Sequence, residues 1–178
     1  MGDLANRIKR ADFELDSATS PLFDPAVAGK DLCFKYWLPV ALWMGLIFAG
    51  STDVFSTHRT SRIIGPLLRW LYSSISDEAI RAAQTVVRKA SHVAEYSVLA
   101  LLLWRARRRP VKNDPRPWSW REAAFALCAA GVYAVTDEFH QMFVPSRGAS
   151  VWDIGLDTLG AAGGILLIWC LGRWRERW

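Results

Sequence analysis

The chain has 178 residues, 52% of them hydrophobic and 22% charged, with 10 Trp and a formal net charge of +5. That length allows one domain with a tail; the apolar content excludes whole-chain disorder, and three Cys exclude a disulfide scaffold. A basic pI near 9.4 suits either a nucleic-acid binder or a membrane protein, and the placement of the charges separates the two.

In chain order, residues 1–33 mix charge, Pro and Gly and lack the apolar run of a secretory signal, so they read as a polar cytoplasmic tail. Residues 36–52 (YWLPVALWMGLIFAGST) carry no charge. As a helix they reach about 25 Å, enough to span a membrane, with Pro39 near the start where a helix tolerates it. Residues 61–72 (SRIIGPLLRWLY) are amphipathic and predict a segment lying on the membrane surface, broken at Gly65-Pro66. Ser76 is placed to cap a further helix, with Asp77 and Glu78 in its first turn, that runs into a second span.

Three more apolar stretches follow, at 90–104, 123–136 and 151–172. They reach membrane length only when their polar ends are counted. Residues 99–104 and 165–171 are apolar all round, which argues against a soluble bundle whose helices keep a polar face. The expected fold is an all-α membrane protein. Residues 34–178 would form four transmembrane helices, with an amphipathic outer-loop helix between the first and second.

The cations orient this arrangement. Tail, 105–121 loop and C-terminus hold fifteen of the 22 Lys and Arg, which predicts both termini in the cytoplasm. Trp37, Trp104, Trp118, Trp120 and Trp174 fall at the inner boundary, and Trp70 and Trp152 at the outer one, as an aromatic belt would. Because the 105–109 arginine run closes a span, it reads as a topology signal that also attracts anionic lipids. No nucleic-acid partner is expected.

This orientation brings the polar end of every span to the outer side. Span one leaves through Ser51 and Thr52. Span two enters through Lys89, His92, Glu95 and Tyr96, and span three leaves through Asp137, Glu138, His140 and Gln141. A turn holding Arg147 leads into span four through Asp153 and Asp157. Spacings of three and four place Lys89, His92 and Glu95 on one broad face, and Asp137, His140 and Gln141 on another. Below Asp157, Gly160 and Gly164 form a GxxxG that permits close helix approach, so the last span is expected to pack centrally.

Such a cluster can be a purely structural ion-pair network. The charges do not balance, however: Glu95, Asp137, Glu138, Asp153 and Asp157 face only Lys89 and Arg147 as permanent cations. Protonated carboxylates, water or a bound cation must close the gap, and crowded like charges are how general acids arise. His92, Glu95, Glu138, His140 and Asp153 offer ligands for a divalent metal, although their spacing matches no closed zinc signature. Lys89 and Arg147 alternatively suit an anionic head group, with a carboxylate or His as base. Cys33, Cys128 and Cys170 fall near the cytoplasm or in the bilayer, where a bridge is not expected.

Taken together, Lys89-x-x-His92-x-x-Glu95-Tyr96, Asp137-Glu138-x-His140-Gln141, Pro145-x-Arg147-x-x-Ser150-x-x-Asp153 and the Gly160/Gly164 pair resemble the VanZ-like membrane proteins, over residues 36–172 and in the family's order. That family's pattern has Asn where this chain has Asp157. The resemblance implies a bacterial cytoplasmic-membrane protein, and its founding members are linked to low-level resistance to the glycopeptide teicoplanin. The expected function is an outward-facing polar pocket that binds or modifies an envelope lipid or cell-wall precursor head group, as a hydrolase or transferase would. Lys89 and Arg147 would hold the anion, with Tyr96, Gln141, Asp153 and Asp157 lining the pocket. Glu138 or Glu95 would act as acid or base, beside Asp137, with His92 and His140 as proton shuttles or metal ligands. A non-catalytic assembly or resistance factor and a proton-coupled transporter-like binder are the rival readings; the apolar inner halves of the spans weigh against a polar path for the latter.

Overall fold

The structure is a computed structural model describing residues 25–52, 57–110, 114, 116–144 and 150–177. Among these residues it is all-helical, with α1 (Pro25–Ser51), α2 (Thr57–Leu71), α3 (Asp77–Arg108), α4 (Trp120–Gln141) and α5 (Val151–Trp174). The chain divides after Lys35, and every contact below lies within Tyr36–Trp178.

Local chemistry sets most helix boundaries. Ser76 Oγ accepts from the Ala79 N–H at 3.2 Å and starts α3, with Asp77 and Glu78 complementing the first-turn dipole. Ser119 does the same for α4, accepting from Glu122 N at 3.4 Å. Two sequence expectations shift. Pro39 lies inside α1 and not at its start, because that helix begins at Pro25. Gly65-Pro66 does not break α2: Pro66 is exposed, so the lost backbone bond falls on the outer side of the helix, while Gly65 is buried against Ile80.

The core is a bundle of α3, α4 and α5, with α3 and α5 most closely engaged. Glycine makes this seam possible. A Cβ on Gly160 would stand 2.5 Å from the Val93 carbonyl oxygen, and one on Gly164 would stand 2.7 Å from that of Ser97. Ser97 Oγ lies 2.7 Å from both the Val93 and Gly160 carbonyls, so its one proton is shared across the seam. On α4 the buried face is a stripe at helical steps: Ala123, Ala126, Ala130, Ala134, Asp137, Gln141. Small residues let the backbones approach, and the same stripe carries two polar groups at its end.

Helix α1 is tied to the bundle by hydrogen bonds at several heights. Tyr36 Oη donates to Pro110 O at 2.9 Å, Trp43 Nε1 to Glu95 O at 2.9 Å, and Tyr133 Oη to Met44 O at 2.6 Å.

The distribution of polarity is reversed relative to a water-soluble bundle. Leu42, Leu46, Phe48, Val132, Val135, Phe139, Leu159, Leu166 and Leu167 are exposed, whereas Ser51, Asp137, Glu138, Gln141 and Asp157 are buried. Among the described residues, two segments are long and apolar enough to cross a membrane, Cys33–Ser51 and Val151–Trp174. The other two expected spans, α3 and α4, miss that test on composition. Both are long enough, at about 48 and 33 Å, but Lys89, His92 and Glu95 lie midway along α3, and Asp137, Glu138 and His140 lie near the end of α4.

At the end opposite these acids, Arg108 is buried. Its guanidinium donates to the carbonyls of Arg116 (2.6 Å) and Pro117 (3.1 Å) and to Glu122 (3.1 Å), and its Nε lies 3.3 Å from Asp114. Arg116 in turn donates to Asp114 and to the Arg108 carbonyl, each at 2.7 Å. The expected free topology charge at Arg108 is instead a clip that fixes the connection from α3 to α4.

Candidate functional site

The site is built where the middle of α3 meets the polar ends of α1, α4 and α5. Along the α3–α5 seam the contacts descend turn by turn. At the rim Lys89 Nζ donates to Asp153 Oδ1 at 2.9 Å; the lysine side chain is 45% exposed and the aspartate 16%. One turn deeper, His92 Nδ1 lies 3.5 Å from Asp157 Oδ1, an ion-pair distance without hydrogen-bond alignment, and the aspartate is only 3% exposed. Below them Tyr96 is fully buried, its ring centroid 6.3 Å from that of Tyr133. The spacing 89, 92, 96 against 153, 157, 160 is what two closely packed helices need to present successive pairs.

Helices α4 and α1 close the other side. Gln141 Nε2 donates to Asp137 Oδ2 at 3.0 Å and to Ser51 Oγ at 3.4 Å, so one amide joins the end of α4 to the end of α1. Glu138 reaches across to α5, where its carboxylate accepts the Ser150 N–H. Ser150 supplies no side-chain cap of its own, and Glu138 therefore serves as the N-terminal acceptor of that helix.

The structure brings some of the expected site residues together and sets others apart. Lys89, His92, Tyr96, Asp153 and Asp157 share the α3–α5 seam, and Asp137 and Gln141 share one face of α4. His140 does not join the acids: its ring stacks on Phe48 of α1, centroids 4.3 Å apart. Half-buried Glu95 stays within electrostatic reach of His92 and Tyr96, while its backbone carbonyl receives Trp43 of α1. Pro145 and Arg147 lie outside the described residues. Ser97, Tyr133 and the Ser150 amide were not anticipated.

The metal and pocket expectations fare differently from the cluster itself. Among the described residues no three His, Cys, Asp or Glu side chains come together to hold a metal ion. The reason is visible in the pairing: Asp153 is engaged by Lys89, Asp157 by His92, Asp137 by Gln141 and Glu138 by the Ser150 amide. Two cavities lie at the other end of the helices, one of about 620 Å³ beside Trp104, Arg108 and Arg175, and one of about 530 Å³ beside Trp37 and Arg107.

Chemically, the polar end holds a cation at its rim, an imidazole–carboxylate pair beneath it, and unpaired hydrogen-bonding capacity below that. Tyr96 Oη and Asp137 Oδ1 are buried without a hydrogen-bond partner among the described residues, as is His140 Nδ1 apart from them beside Phe48. Such groups are expensive to keep unless they are used.

A family model described as VanZ/LLP1 matches residues 36–172, a range that takes in α3, α4, nearly all of α5 and α1 from Tyr36 onward. No curated protein and no solved structure matches the chain.

Proposed function

The chain belongs to the VanZ/LLP1 family, and from that premise we propose that it is an integral protein of the bacterial cytoplasmic membrane whose polar end binds a charged head group of an envelope lipid or cell-wall precursor. In this reading α1, α3, α4 and α5 span the bilayer, α2 lies on the outer surface, both termini are cytoplasmic and the polar end faces outward. Exposed apolar flanks, buried acids and the two apolar segments support the membrane placement. The basic excess at the other end supports the orientation.

The observation that carries the proposal is the meeting of Lys89–Asp153, His92–Asp157 and Asp137–Gln141–Ser51 where the middle of α3 packs against the polar ends of α1, α4 and α5. Lys89 is the half-exposed member, so an arriving phosphate would meet it first and take the place of Asp153. His92 and Glu138 lie deeper and supply groups able to give or take a proton. The link to glycopeptide resistance follows from the family name, and teicoplanin susceptibility is one phenotype to score.

In the native host, Lys89→Ala, His92→Ala and Glu138→Ala are each expected to reproduce the deletion phenotype at unchanged protein level. Lipid and peptidoglycan-precursor profiling of the deletion strain is expected to show one envelope species accumulating. Full activity of all three variants, with an unaltered profile on deletion, would contradict the proposal.

A further inference from the structure

The basic end of the helices holds a feature that the proposed function does not use. The cavity of about 530 Å³ there is lined by Trp37, Ala106, Arg107, Arg108, Arg109 and Arg116, four guanidinium side chains with no carboxylate in the wall. Arg108 and Arg116 are committed to Asp114 and to backbone carbonyls. Arg107 and Arg109 are exposed, and neither pairs with a carboxylate among the described residues. Arg107 lies over the Phe125 ring, 5.5 Å from its centroid. Arg109 caps the C-terminus of α3 with φ 48, in the left-handed region.

The cavity's position identifies what it would take. Trp37 lies near the start of the apolar segment Cys33–Ser51, so the arginines stand where that apolar surface begins. A free anion would have no use for the adjoining apolar wall, whereas a phospholipid would occupy both. We infer that this cavity binds the phosphate of an anionic phospholipid, held by Arg107 and Arg109, with the acyl chains running along the apolar surface that begins at Trp37. Arg108 and Arg116 are already paired and serve to fix the wall. The inference rests on the membrane reading above but not on any activity of the polar end.

The test uses the full chain. Recovery in the soluble fraction without detergent would overturn the membrane reading and this site together. Protein purified in detergent is then titrated with phosphatidylglycerol, phosphatidylcholine or inorganic phosphate and followed by native mass spectrometry and thermal unfolding. Phosphatidylglycerol is expected to stay bound and to raise Tm, and the other two are not. Arg107→Gln/Arg109→Gln should bind phosphatidylglycerol about tenfold more weakly or worse, Arg107→Lys/Arg109→Lys should retain most of the binding, and the charge-matched control Arg88→Gln/Arg121→Gln should behave as wild type. Equal retention of phosphatidylcholine, equal stabilisation by inorganic phosphate, or an equal loss in the control would overturn the lipid site while leaving the membrane reading intact. Should the double Gln variant fail to fold, the lipid comparison on the wild type and the Lys variant decide the matter.

Discussion

Gly160 and Gly164 set the distance between α3 and α5, because backbone atoms of Val93 and Ser97 occupy the space that a side chain would need. Backbone cannot rotate away as a side chain can. Gly160→Ala and Gly164→Ala are therefore each expected to cost about 1–3 kcal/mol, whereas Gly155→Ala and Gly163→Ala, with open space around them, should be near neutral; thermal unfolding in detergent separates the two pairs. His92 and Asp157 distinguish a structural ion pair from a working one. Asp157→Ala should cost about 3 kcal/mol by leaving a buried partner uncompensated, while His92→Leu/Asp157→Leu should recover most of that stability. If the pair serves function, the double Leu variant is well folded and inactive; if it only holds helices together, the variant is well folded and active. Residues whose role depends on spacing along one helix were legible in the sequence, as with the Ser76 cap and the Gly160/Gly164 pair. His140 was not, because only the packing of Phe48 decides which way it turns.

Among the elements, the connection between α3 and α4 departs furthest from its sequence reading. Arg108 sits in a run of similar arginines, and its partners Asp114, Pro117 and Glu122 come from the loop and the next helix. No periodicity marks it out. Asp114 lies in the loop, where the Arg116 guanidinium bonded to it holds its carboxyl well below the usual carboxylate range, with Arg108 adding to the effect. A depressed folded value means that its contribution is complete above the ordinary Asp range near ~4 and is lost only as pH falls through the lower value. Asp114→Asn should thus lower Tm at neutral pH, and its gap to wild type should close in strong acid; unfolding scans of both proteins across pH read this directly. Helix α2 follows its amphipathic pattern more simply, with Leu67, Trp70, Leu71 and Tyr72 exposed around its end.

For the whole molecule, the modest mean hydropathy of +0.10 is the average of an apolar exterior, a polar interior at one end and a basic set at the other. The all-helical character was readable from the apolar stretches and their lengths. Which side chains pair across the helices was not readable, because that depends on the packing of one helix against another. The claim on which the functional reading depends is that the polar end faces outward. Substituted-cysteine labelling tests it, in a background with Cys33, Cys128 and Cys170 replaced by Ser. Ser74→Cys, in the exposed turn between α2 and α3, should react with a membrane-impermeant maleimide in intact cells, and Arg121→Cys, exposed at the basic end, should react only after permeabilisation. Labelling of both from one side, or in the reverse order, would contradict the account.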